Sequence, residues 1–216
     1  MNPHSFLEPH SRAIRVWHWT FVLFVSATIG IVILASTIFR TGNNVAVVEH
    51  ELAIKNIPIT ENQARAAAHE FNDQLWDIHR WLGIGLCVLI FTRWLIEKTL
   101  PHEERLNYRV RKAANNRSTI LIEQEQRRHY LRVKSAYLVF YGLFAATALS
   151  GLVLALDDIP RLDEYRQTAR QIHAFLQWPV YAFIIIHLIG VIRADLGQHR
   201  GLVSGMIHGH GQRIID

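Results

Sequence analysis

Four apolar stretches dominate this chain, and their length narrows what it can fold into. Val16 to Phe39 is 24 residues without Asp, Glu, Lys or Arg, Ser135 to Leu156 is 22, and Ile172 to Ile192 is 21. A helix needs about 20 residues to cross the hydrocarbon core of a bilayer. The fourth stretch is weaker: Trp81 to Thr92 has 12 uncharged residues. Taken from Trp76 to Ile96 it is long enough, with Asp77, His79 and Arg80 at one end and Arg93 near the other. Charges near span ends reach the interface by snorkelling. A soluble bundle of four buried helices would instead show a polar stripe at helical spacing. Phe21 to Ala35 and Leu138 to Ala155 show none. Trp17, Trp19, Trp76, Trp81, Trp94 and Trp178 lie near the ends, where aromatic belts form. The expected fold is all-α: a four-helix transmembrane bundle in one domain, 1–216, with spans at about 16–39, 76–97, 135–156 and 172–193.

The first span is too long for a signal-peptide core and follows a polar segment, so it reads as a retained helix. Orientation follows from charge. The N-terminal flank, the loop 98–134 with Arg93, and the tail 194–216 with Arg193 hold 16 Lys and Arg. The loops 40–75 and 157–171, with Arg80, hold 7. The positive-inside rule therefore places both termini and the middle loop in the cytoplasm. The net charges are +8 inside and −3 outside. This excess calls for anionic lipid headgroups rather than nucleic acid. Within the long outer loop, Thr60 and Gln63 form a capping-box pattern, and Glu61 to Leu75 reads as a helix entering the second span. On the inner side, Asn115-Asn116 marks a break.

The single cysteine, Cys87, excludes a disulfide framework, a cysteine-rich zinc or iron–sulfur site, and covalent haem attachment through Cys-x-x-Cys-His. It reads as a small core residue. No Ser–His–Asp pattern, phosphate loop or paired-carboxylate site stands out.

The histidines carry the chemistry. Of 13, four fall inside spans: His18 in the first, His79 in the second, His173 and His187 in the fourth. An ionisable group at membrane depth is costly and marks function by default. A single such histidine could be a hydrogen bond between helices; four on three spans favour a site. His173 and His187 are 14 positions apart, so they face nearly the same way about 21 Å apart along the axis. His18 and His187 lie near inner ends, His79 and His173 near outer ends. Zinc would ask for three or four ligands per site, and each pair supplies two. A haem iron takes two axial ligands, and its porphyrin suits an apolar bundle. Two b-type haems, held by the pairs His18/His187 and His79/His173, account for all four residues. Gly30, Gly83, Gly85, Gly142 and Gly151 would let such plates approach the backbone, or would serve ordinary helix packing. His69 is an alternative to His79. His50, His102, His129 and His199 read as solvated, as do His208 and His210 in the tail, for which metal binding is the alternative. Arg80 and Arg93 could pair haem propionates or anchor in headgroups. Pro179 is expected to kink the fourth span.

Arg15-Val16-Trp17-His18-Trp19 resembles the opening of prokaryotic cytochrome b561 and nickel–iron hydrogenase b-type cytochrome subunits. His79, the 14-position spacing of His173 and His187, and the tail Gly201-Leu202-Val203-Ser204-Gly205-Met206-Ile207-His208-Gly209 match as well. The resemblance implies a diheme cytochrome of the bacterial inner membrane. Such a protein passes electrons between a redox partner or subunit, here placed at the periplasmic face, and the membrane quinone pool. The long loops are departures that bear on the partner more than on the haems. Two other functions stand beside this one. The chain could be a self-contained oxidoreductase acting on a small molecule with quinone as co-substrate. It could also be a non-redox membrane protein whose histidines carry protons or metal.

Overall fold

A computed structural model describes residues 11–115, 121–197 and 202–209. They are all-helical: α1 (Arg12–Ser36), α2 (Thr41–Ile54), α3 (Glu61–Thr99), α4 (Leu106–Asn115), α5 (Leu121–Ala155), α6 (Asp163–Leu196) and α7 (Leu202–His208). No strand occurs among the described residues. Four segments are long and apolar enough to cross a membrane: Arg12–Ser36, Glu61–Thr99, Arg127–Ala155 and Pro160–Leu196. Only 6% to 17% of their apolar windows is buried within the protein. Leu23, Trp81, Phe175 and Ile186 are each exposed by two thirds or more. Apolar surface on that scale needs lipid rather than water around it.

The helices overrun the expected spans. α3 runs without a break from Glu61, as the capping-box pattern predicts. The Thr60 N–H donates to Gln63 Oε1 at 2.8 Å, and the Gln63 N–H to Thr60 Oγ1 at 3.4 Å. The segment before it is not an open loop, because α2 occupies most of it. α2 ends in a Schellman turn, in which the Asn56 N–H bonds Ala53 O and the Ile57 N–H bonds Leu52 O. Asn56 supplies the left-handed residue, at φ 57°. α6 is continuous through Pro179; α4 is described as far as Asn115, and the other half of the expected break, Asn116, lies outside the described residues.

The chain divides into two compact units. In Thr20–Leu86, α2 packs on the start of α3 through Val45, Ala64 and Ala68, with Val48 and Ile59 against them. Asn72 Nδ2 donates to Ala35 O at 2.8 Å and Phe39 O at 2.9 Å, and Asn44 Nδ2 donates to Ile38 O at 2.7 Å. These bonds satisfy carbonyls that the end of α1 leaves without helical partners. A Cβ on Gly85 would come within 2.5 Å of the Phe24 ring, so α1 and α3 touch there only because a side chain is missing.

The other unit joins Met1–Trp19 to Cys87–Asp216. α5 and α6 pack along each other, with Phe140 stacked on Phe183 at 4.2 Å between ring centroids. α4 is clipped to the end of α3 by one carboxylate. Glu97 Oε1 accepts the Leu106 N–H at 2.5 Å, while Oε2 accepts Arg93 Nη1 at 2.9 Å. Cys87 is half-buried, with Sγ 3.6 Å from Ala148 O.

Candidate functional site

His18 and His187 come together. Their ring centroids are 6.5 Å apart, with planes crossed at 71°. Each ring is steadied by its own surroundings. Phe183, one turn before His187, lies parallel to it at 6.0 Å, and the Tyr137 ring meets it edge-on at 5.9 Å. Trp19 meets His18 edge-on at 5.6 Å. Trp17 is buried, and its indole N–H donates to Leu89 O on α3 at 2.7 Å. That bond uses the amphipathic character of the indole, an apolar ring with one donor to place.

His173 lies against α5. Its Nδ1 is 2.9 Å from Thr147 O and 3.3 Å from Ser150 Oγ. A carbonyl only accepts, so Nδ1 carries the proton and Nε2 is the basic nitrogen. The ring lies so close to α5 that a Cβ on Gly151 would be 2.9 Å from His173 Cε1. His79, in the other unit, is half-buried, and Trp76 meets it edge-on at 5.5 Å. Trp76 Nε1 in turn donates to Asn72 Oδ1 at 2.9 Å, so the residue that caps α1 also orients the neighbour of His79. His79 and His173 fall in separate units and are each described alone.

The remaining sequence expectations divide. His69 is exposed, with Nδ1 2.6 Å from Asp73 Oδ2. His50, His102, His129 and His208 are exposed; His199 and His210 lie outside the described residues. Arg80 pairs with Asp77 at 2.8 Å. Arg93 pairs with Glu97, and its guanidinium lies 5.9 Å from the Trp17 ring and 5.8 Å from the Tyr141 ring. Of the glycines proposed to admit a flat ligand, Gly85 and Gly151 are filled by Phe24 and His173. Gly30, Gly83 and Gly142 face open space. Among the described residues no three His, Cys, Asp or Glu side chains converge as a metal site would need.

A family model described as prokaryotic cytochrome b561 matches residues 9–209. The chain belongs to the prokaryotic cytochrome b561 family. No curated protein and no solved structure matches it. Membership makes it a multi-pass membrane cytochrome of b type that works in electron transfer.

The residues of this chain fit such a haem. Metal–imidazole nitrogen bonds are about 2 Å. With each ring centre about 1 Å farther out, two imidazoles on opposite faces of one iron hold their centroids about 6 Å apart. The 6.5 Å between His18 and His187 matches that separation. His173 shows the second sign of a ligand, an Nδ1–H committed to a backbone carbonyl, which fixes tautomer and ring plane. Sequence reasoning missed this support because a backbone carbonyl leaves no mark on residue type. Gly151 was the available signal: a glycine in an apolar helix, where a neighbour comes close.

Proposed function

We propose that this chain holds two b-type haems, one between His18 and His187 and the other between His79 and His173. In this reading it carries electrons between a redox partner at the periplasmic face and membrane quinone. The termini and the middle loop lie in the cytoplasm, as the 16-to-7 partition of basic residues favours. The observation that carries the reading is the facing of His18 and His187 from different helices at 6.5 Å.

Bound haem supplies reversible one-electron chemistry. The chain supplies the rest. Thr147 O holds the proton on Nδ1 of His173, leaving Nε2 to ligate. Phe183 and Tyr137 fix the plane of His187 and surround it with apolar rings. The 14 positions between His173 and His187 set two levels along α6, about 21 Å apart. Crossed pairing would ask one iron to bridge that distance, which bis-histidine ligation cannot do.

The test is haem content joined to electron paramagnetic resonance. The intact chain should bind two haems by pyridine haemochrome assay. His173→Leu should remove one and His187→Leu the other. His18→Ala and His187→Ala should disturb one ferric signal, while His79→Ala and His173→Ala disturb the second. A chain without haem overturns the reading, and so does a common signal disturbed by His18→Ala and His173→Ala.

A further inference from the structure

The last described helix is held by the residues on either side of His18. α7 has only 7 residues, too few to persist as an isolated helix. Its closing carbonyls have no helical partners of their own. Arg15 Nη1 donates to Ile207 O at 3.1 Å and Trp19 Nε1 to Met206 O at 3.1 Å. At the other end the Val203 N–H donates to Asp195 Oδ1 on α6, at 3.2 Å. The Arg15 charge at the C-terminus of α7 also suits the negative end of the helix dipole.

Gly209 completes the attachment. Its φ is +82°, in the left-handed region, where a helix commonly ends in glycine. A Cβ there would come to 2.5 Å from the Arg15 guanidinium, so a side chain would strain the turn and push the guanidinium aside. The attachment leads directly to His18. Trp19, held by Met206 O, sets its indole edge-on against the His18 ring at 5.6 Å.

We propose that Arg15 and Trp19 are positioning residues, and that α7, clamped through them, fixes the plane of the His18 imidazole. In doing so it tunes the haem shared by His18 and His187 without ligating it. The neighbours of a ligating imidazole set its orientation and its basicity. Burial and hydrogen bonding set haem potential. Releasing α7 frees the indole that meets the His18 ring, and with it the plane of the imidazole, so release shifts the potential of the shared haem. The inference rests on the shared-haem reading of His18 and His187.

The experiment is a redox titration of the full-length chain followed by electron paramagnetic resonance, with Trp19→Phe and Gly209→Ala as separate variants. Trp19→Phe keeps an aromatic ring and loses the donor. Gly209→Ala strains the turn and pushes on the Arg15 guanidinium while leaving every residue of α1 unchanged. Each should keep two haems, shift the midpoint potential of the His18–His187 haem, move its ferric signal and leave the other haem unchanged. Arg15→Lys keeps a cationic donor and should shift less than Arg15→Leu. If Trp19→Phe loses haem outright, Gly209→Ala decides. An unchanged potential and signal in Gly209→Ala overturns the proposal, as does an equal shift of both haems. Failure of the shared-haem reading looks different: with α7 intact, His18→Ala and His187→Ala would then disturb different signals.

Discussion

At Gly151 the width of one methyl group decides whether a histidine can sit where it does. The Cβ of an alanine would lie 2.9 Å from His173 Cε1, and the ring has little freedom to retreat because Thr147 O holds its Nδ1. Gly151→Ala should tilt the imidazole and weaken that bond. Losing such outer support typically costs 10–100-fold in metal affinity. The expected result is about a tenfold loss in haem retention at the His173 site, read by pyridine haemochrome assay after dilution in detergent. Gly142 is the control: a Cβ there meets nothing within 4 Å, so Gly142→Ala should retain both proposed haems. The four span histidines were legible because lipid makes an ionisable group conspicuous. The features that orient them were not legible. Phe183 and Tyr137 look like any apolar-face aromatics in a span, and the Thr147 carbonyl has no residue-type signature.

Helices divide by what demands them. The four spans were readable because lipid leaves backbone polar groups no partner outside the helix. α2 was not. Its opening, Thr41-Gly42-Asn43-Asn44, reads as a turn, and Glu49-His50-Glu51 interrupts its apolar residues. It forms because Asn43 and Asn44 bond the carbonyls of Thr37 and Ile38, just past the end of α1, while Val45 packs on Ala64 and Ala68. α7 was hidden for the same reason, since its stability comes from distant residues. The clip between α3 and α4 is a further tertiary device with a test of its own. Glu97→Ala leaves the half-buried Leu106 N–H without its acceptor and Arg93 without its carboxylate. Leaving such a donor unmet costs about 1–3 kcal/mol. The start of α4 should then exchange its amide hydrogens roughly 5- to 150-fold faster. Hydrogen-exchange mass spectrometry would read this at Leu106 to Tyr108, and unchanged protection there would count against the clip.

For the whole molecule, the partition of charge is the property to test. A reporter active only outside the cytoplasm should work when inserted within Val45 to Gln63 and fail near Asn115. The reverse pattern would invert the chain and exchange the sides of both proposed haems. Positive charge sets this orientation because the loops near spans resist translocation when rich in Lys and Arg. Neither the candidate spans nor the fold depend on it, which is why composition alone could mark four helices able to cross a membrane and leave their direction to a count.

The length of α3 has a consequence for any outer partner. Its 39 residues make a rod of about 58 Å, against about 30 Å of hydrocarbon. Glu61 to Leu75 alone adds about 22 Å beyond the apolar stretch. No glycine or proline interrupts it between Glu61 and Arg80, so this stem has no hinge. A protein resting on its tip would hold a redox centre at least that far above the level of His79, and electron tunnelling falls off exponentially with distance. In the proposed orientation, a partner resting on the tip of the stem would be farther from the level of His79 than one lying alongside it.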